Sequence, residues 1–150
     1  MKAVIALAAC TMLAGTAPAA AYHLIPENST FTGTGKTSAT KNGVSLPCKA
    51  NFTGHVDKKG IGYVDSGTFS GQVGCSTVGL ANLPWKSVAR SATRVVILNV
   101  QFTSPIGDCG PGSLKVRLSD GVISFKNQSL PGGCTVTGKI TTSPTVSIVP

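Results

Sequence analysis

One three-residue pattern recurs along the chain: Phe31-Thr32-Gly33, Phe52-Thr53-Gly54 and Phe69-Ser70-Gly71, with Val136-Thr137-Gly138 as a variant. In an extended strand residues two apart share a face, so each ring or valine lies beside its glycine while the hydroxyl points the other way. The cysteines keep the same parity. Cys48, Ala50, Phe52, Gly54 and Val56 make one face, Gly67, Phe69, Gly71, Val73 and Cys75 a second, and Cys134, Val136, Gly138 and Ile140 a third. A glycine beside a large ring leaves room for a facing side chain or a bulge.

The remaining segments read the same way. Val96, Leu98, Val100 and Phe102 share one face of "RVVILNVQF", and Val95 and Ile97 on the other face predict a strand covered on both sides. Ser113 to Ser119 alternates strictly, then Asp120-Gly121 offers a two-residue hairpin turn into "VISFKN". "VDKKG", "DCGPG" and "LPGG" mark further turns. Strand candidates recur roughly every 8 to 14 residues with no amphipathic helix between them, close to the spacing of an all-β sandwich or barrel. The expected fold is an all-β antiparallel β-sandwich, with a jelly-roll or partly open barrel as the alternative.

The first residues predict the compartment. Met1-Lys2 is a basic start, Ala3 to Ala14 is an apolar run, and Pro18 to Ala21 supplies small residues before Tyr22, the order of a secretory signal peptide cleaved after Ala21. A lipoprotein reading of Leu7-Ala8-Ala9-Cys10 would truncate the apolar core, which continues past Cys10. The run is too short to span a bilayer and no second one follows. These features predict a signal peptide over 1–21, a single β domain over 22–150, and a secreted protein without a transmembrane span. The four cysteines of that domain, Cys48, Cys75, Cys109 and Cys134, predict two disulfides. Short loops favour Cys48–Cys75 with Cys109–Cys134, although core-facing cysteines on different sheets leave the other pairings open. A zinc site needs paired short spacings, and no two of these cysteines lie closer than 25 residues. No metal and no cofactor is expected.

Gly35-Lys36-Thr37 has the tail of a phosphate-binding loop, but Thr30 stands where that loop needs glycine, and the preceding Ile25 to Ser29 is polar and broken by Pro26. The segment reads instead as a strand with Thr32, Thr34 and Lys36 on its wet face. Catalysis has little to draw on. Glu27, Asp57, Asp65, Asp108 and Asp120 form no evident acid pair, three of the aspartates sit in turns, and no Gly-x-Ser-x-Gly elbow occurs. His55 falls on a polar strand face and His23 near the expected new N-terminus. The chain is therefore expected not to be an enzyme. Lys and Arg outnumber Asp and Glu by 13 to 5, giving a net charge of +8, yet the cations are scattered, with Lys58-Lys59 the one adjacent pair. That distribution suits a soluble surface with edge lysines that block strand pairing, and it does not predict nucleic-acid binding.

The ordered set Phe-Thr-Gly-x-Gly, "LPCKANFTG", "GTFSGQVGC", "LPWKS", "CGPGSLKV", "CTVTGKITTSP" and "VSIVP" resembles the bacterial alkane oxidation protein activator family, PraB-like, over Phe31 to Pro150. The resemblance implies an exported accessory protein that promotes contact with, dispersal of or growth on long-chain alkanes, with hydrocarbon or cell-surface components as partners and no catalytic residues. On that view Leu80, Leu83 and Trp85 would meet an oil or cell-surface interface; the competing assignment makes Trp85 a core plug. A different class is an extracellular matrix or fibre subunit that self-associates by strand addition through "TVSIV", Thr145 to Val149. A secreted binding or inhibitor module is the third.

Overall fold

The computed structural model describes residues 21–150. The signal-peptide expectation and the Cys10 lipidation box therefore lie outside the described residues, Ala21 apart. The strands are β1 His23–Ile25, β2 Ser29–Lys41, β3 Val44–Val56, β4 Gly62–Gly71, β5 Gly79–Ala81, β6 Trp85–Ala89, β7 Arg94–Thr103, β8 Cys109–Ser119, β9 Val122–Leu130, β10 Cys134–Ser143 and β11 Ser147–Val149, with a short 3-10 turn at Cys75–Thr77.

Strand alternation correctly identifies an all-β chain, but the expected sandwich is replaced by a barrel. Each of β2, β3, β4, β6, β7, β8 and β9 pairs antiparallel with the next of these strands or with β10, and β10 returns to pair with β2. The sheet is thus an eight-stranded up-and-down barrel, more completely closed than the partly open alternative. The closing seam runs without a bulge from Cys134↔Lys41 to Ser143↔Thr32. β5 continues the β6 side of β7, pairing Gly79↔Thr103 to Ala81↔Gln101.

The repeated triplets explain the tight curl. Rings on one strand sit over glycines on the next: Phe31 pairs with Gly54, Phe52 with Gly67, and Phe125 with Gly138. A Cβ added to Gly67 would stand 2.6 Å from Phe52 Cδ1, and one added to Gly54 would stand 2.6 Å from Phe31 Cζ. Glycine is what lets each ring lie flat across its neighbour, a cross-strand arrangement that also fixes register. At Gly54 and Gly138 the expected room is therefore taken by a ring from the adjacent strand, whereas Gly33 is met by Ile140 and Gly71 by Cys75.

Asn42-Gly43 and Asp120-Gly121 make two-residue hairpin turns, with φ of 52° and 76° in the first and 51° and 75° in the second. Both match the geometry that asparagine or aspartate followed by glycine tolerates. Both expected disulfides are present as Cys48–Cys75 and Cys109–Cys134, with Cα–Cα distances of 5.7 and 5.8 Å.

Two face assignments need correction. β4 stops at Gly71, so Val73 does not continue its buried face; it is 99 % exposed on the following loop, while Cys75 is buried through its disulfide. In β7 the register shifts between Ile97 and Val100, around Asn99 at φ 56°. This bulge reverses the parity, so Val95, Val100 and Phe102 are buried, whereas Val96 and Leu98 are only half-buried and do not join the core. The expectation of a strand covered on both sides fails for that reason.

Candidate functional site

The barrel wall sorts side chains by parity, and its inner side is almost wholly apolar. Ser87 and Thr142 are the only buried polar residues among those described, and no ionisable side chain is buried. Most of the inner polar groups are already bonded. Thr142 Oγ1 donates to Gly121 O at 2.7 Å and accepts from Val146 N at 3.0 Å. Thr37 Oγ1 donates to Cys48 O at 3.1 Å, and the Trp85 indole N–H donates to Ala81 O at 2.7 Å.

Inside the barrel lie two cavities of about 90 and about 100 Å³. The upper one, toward the disulfide end, is bordered by Leu46, Cys48, Phe69, Val78, Leu80 and Phe102. The lower one is bordered by Leu24, Val64, Val95, Leu118, Ile140 and Val146. Phe52, Trp85, Val100, Leu114 and Phe125 line both, so these five side chains form a waist between two chambers. Phe52 and Phe69 meet edge to face, with ring centroids 5.6 Å apart and an interplanar angle of 88°.

The two ends of the barrel are closed differently. At the upper end Leu46, Cys48 and Cys75 form a small cluster with Phe69, Val78 and Ile106, and both disulfides lie there. At the lower end β1 pairs with β11, His23↔Val149 through Ile25↔Ser147, and this two-stranded ribbon lies against β6 and β8. Leu24 and Val146 point from that end into the core and are 4 % and 3 % exposed. The ribbon is held by backbone hydrogen bonds, including Leu24 N to Gly60 O at 2.9 Å.

The residues singled out from sequence fall into separate places. Trp85 is 6 % exposed and occupies the waist, the core position considered for it. Leu80 and Leu83 are half-buried against the core, and Leu80 borders the upper chamber. The three do not make one outward-facing set. The residues sequence reasoning missed are Phe125, Val100 and Leu114 of the waist and Leu24 and Val146 of the lower closure; the pairing of Phe125 with Gly138 repeats the ring-over-glycine pattern that could have revealed the first.

The outer wall carries the charge. Lys36, Thr32 and Thr34 are exposed as expected. Lys36 lies directly opposite both Lys139 on β10 and Lys49 on β3, a row of three like charges across neighbouring strands. His55 is half-exposed on the outside; its Nδ1 lies 2.7 Å from Asp65 Oδ2 and its ring stacks on Tyr63 at 4.8 Å. His23 Nε2 lies 3.3 Å from Glu27 Oε1 near the lower end. Asp57 Oδ1 accepts from Ile61 N at 2.9 Å and Lys59 N at 2.8 Å, closing the "VDKKG" turn. The Ile61 amide foremost holds this carboxyl below the ordinary aspartate range; desolvation, the next largest effect, opposes it, and the Lys59 amide and charge add to the lowering. Among the described residues no three of His, Cys, Asp and Glu converge on a metal site, and no helix is long and apolar enough to cross a membrane.

Closure gives each of the barrel's eight strands a neighbour on both sides, but β4 meets β6 only over Gly62–Val64, so the rest of β4 up to Gly71 pairs with β3 alone and keeps an unpaired edge. Within "TVSIV", Ser147 to Val149 already pair with β1 of the same chain.

A family model described as alkane oxidation protein activator PraA/PraB-like matches residues 1–150. No curated protein and no solved structure matches the chain.

Proposed function

The chain belongs to the alkane oxidation protein activator PraA/PraB-like family, and from that membership we propose that it is a secreted, non-enzymatic accessory protein that promotes contact with, dispersal of or growth on long-chain alkanes. The observation that carries this reading is the barrel interior: two apolar chambers with every ionisable side chain among the described residues kept off the buried wall. A surface of that kind has affinity for hydrocarbon and little means of moving protons. The two disulfides support an oxidising compartment as the place of action.

The test is growth of a deletion strain on hexadecane and on a soluble carbon source, with purified protein added back. The expected outcome is a defect confined to hexadecane, relieved by the protein in proportion to its amount per area of hydrocarbon. Equal growth of mutant and parent on both carbon sources refutes the reading.

A further inference from the structure

We propose that the two chambers are one binding site for an unbranched, uncharged aliphatic chain, which would enter the barrel end-on and pass the aromatic waist. The choice of ligand class rests on the hydrocarbon reading above; the shape and polarity of the site come from the barrel itself. An apolar cavity of about 150 Å³ stays dry and accepts benzene. Each chamber, at about 90 or about 100 Å³, is smaller than that. A rigid ring is thus excluded from either one alone. A chain one methylene wide can occupy both through the waist of Phe52, Trp85, Val100, Leu114 and Phe125. Scaled from the six carbons of benzene, the combined space holds roughly seven or eight carbons, so a longer alkane would leave the remainder outside the barrel.

Polarity sets the second restriction. A carboxylate drawn into this interior would lose its hydration and find no cation, which is prohibitive. Thr37, Thr142 and the Trp85 indole are committed to backbone partners. Ser87 is the other buried hydroxyl of the lower chamber, and a single hydroxyl does not compensate an anion. The site therefore selects a saturated hydrocarbon over its own fatty acid.

Entry falls to the lower end. The upper end is covalently pinned by Cys48–Cys75 and Cys109–Cys134, whereas the β1–β11 ribbon is held by hydrogen bonds and side-chain packing with no covalent link.

Trp85 is the chain's single tryptophan and lines both chambers, so its emission reports occupancy directly. Purified protein would be titrated with n-hexane, cyclohexane and hexanoate to aqueous saturation, with melting temperature recorded alongside. The expected result is a saturable change in emission at one hexane per barrel and a higher melting temperature, because a ligand of the native state alone stabilises it. Cyclohexane and hexanoate are expected to bind at least tenfold more weakly. Ser87→Leu fills the lower chamber and should abolish the hexane response while keeping cooperative unfolding. If that variant does not fold, the wild-type titration decides alone. Neither an emission change nor a melting shift with hexane, or equal responses to all three compounds, overturns the proposal. Hexane binding without any growth effect on hexadecane would instead remove the proposed function and leave the site; a growth effect without hexane binding would move that function to the outer surface.

Discussion

Replacing Gly35 by alanine should weaken the seam that closes the barrel. Gly35 is opposite Ile140 across β2 and β10, and its backbone is not in the left-handed region, so alanine meets no conformational obstacle there. Without a steric conflict the change would stabilise the protein by about 0.4 to 1 kcal/mol through the unfolded chain. The conflict decides the sign. An added Cβ would collide with the Lys139 carbonyl oxygen and stand 2.8 Å from its carbon and 2.9 Å from Ile140 Cα. Carbon atoms rest comfortably at about 3.5 to 4.0 Å, so the strands must part locally by roughly 1 Å. All three obstacles are backbone atoms, which no rotamer change can remove. Overpacking of this kind costs about 1 to 3 kcal/mol, and stretching the adjacent ladder bonds weakens contributions of about 0.5 to 1.5 kcal/mol each. The net expectation is a loss of about 3 kcal/mol. For a domain of this size that lowers the melting temperature by roughly 10 °C. Thermal and denaturant unfolding of Gly35→Ala measure it, with amide exchange expected to rise first in β2 and β10. Stability within about 0.5 kcal/mol of the parent would refute the reasoning.

The adjacent Lys36→Ala, on the wet face, should shift stability by less than about 0.5 kcal/mol, toward stabilisation because it relieves repulsion from Lys49 and Lys139; ATP binding lost on this change would contradict the strand assignment. Removing either disulfide as a Cys→Ala pair should cost about 3.5 kcal/mol by loop-closure entropy for separations of 27 and 25 residues, and thiol labelling of denatured, unreduced protein should find no free cysteine among the four. Because the Asp57 carboxyl is depressed in the folded state, its contribution is complete above the unfolded aspartate value and is lost as pH falls through the folded one. Unfolding curves of the parent and Asp57→Asn should therefore differ at neutral pH and converge in acid. His55→Gln should leave any effect on hydrocarbon unchanged, since its partners Asp65 and Tyr63 are on the outer wall away from the chambers.

Alternation revealed the strands and much of the buried wall because a pleated strand imposes a period of two on its side chains: Cys48 to Val56 and Cys134 to Ile140 are placed as the pattern predicts, apart from the half-buried Phe52. The closure was not legible, since the same alternation describes a strand facing a second sheet and one facing the far wall of its own. What distinguishes them is the cross-strand position of glycines, and that depends on register. Four irregularities, near Asp65, Asn99, Gly110 and Asn127, shift parity within a strand and hide from a fixed period; Val96 was misplaced for this reason. Asp120-Gly121 was read as a hairpin, and it determines the β8–β9 register without help from the rest of the fold. The chambers could not be read at all, because a void belongs to no residue.

The β2–β10 seam also has a consequence for the order in which the chain can fold. Every other junction of the ring joins strands adjacent in the meander, so those pairs can form from local encounters, whereas the seam unites residues 32–41 with 134–143 and must close the longest loop. Each disulfide, once formed, shortens that search, because Cys48–Cys75 and Cys109–Cys134 bridge 27 and 25 residues of the chain between Lys41 and Cys134, yet the seam remains the longest closure. Until the seam zips, β2 and β10 are open edges of a curled sheet whose apolar side faces water, a template for pairing with another nascent copy. Lys36 and Lys139 stand at the same register on those two edges. In the finished barrel they repel one another; before closure each makes its strand a poor partner for a second copy of itself, so the cost in the native state is the trace of a hazard met only on the way there.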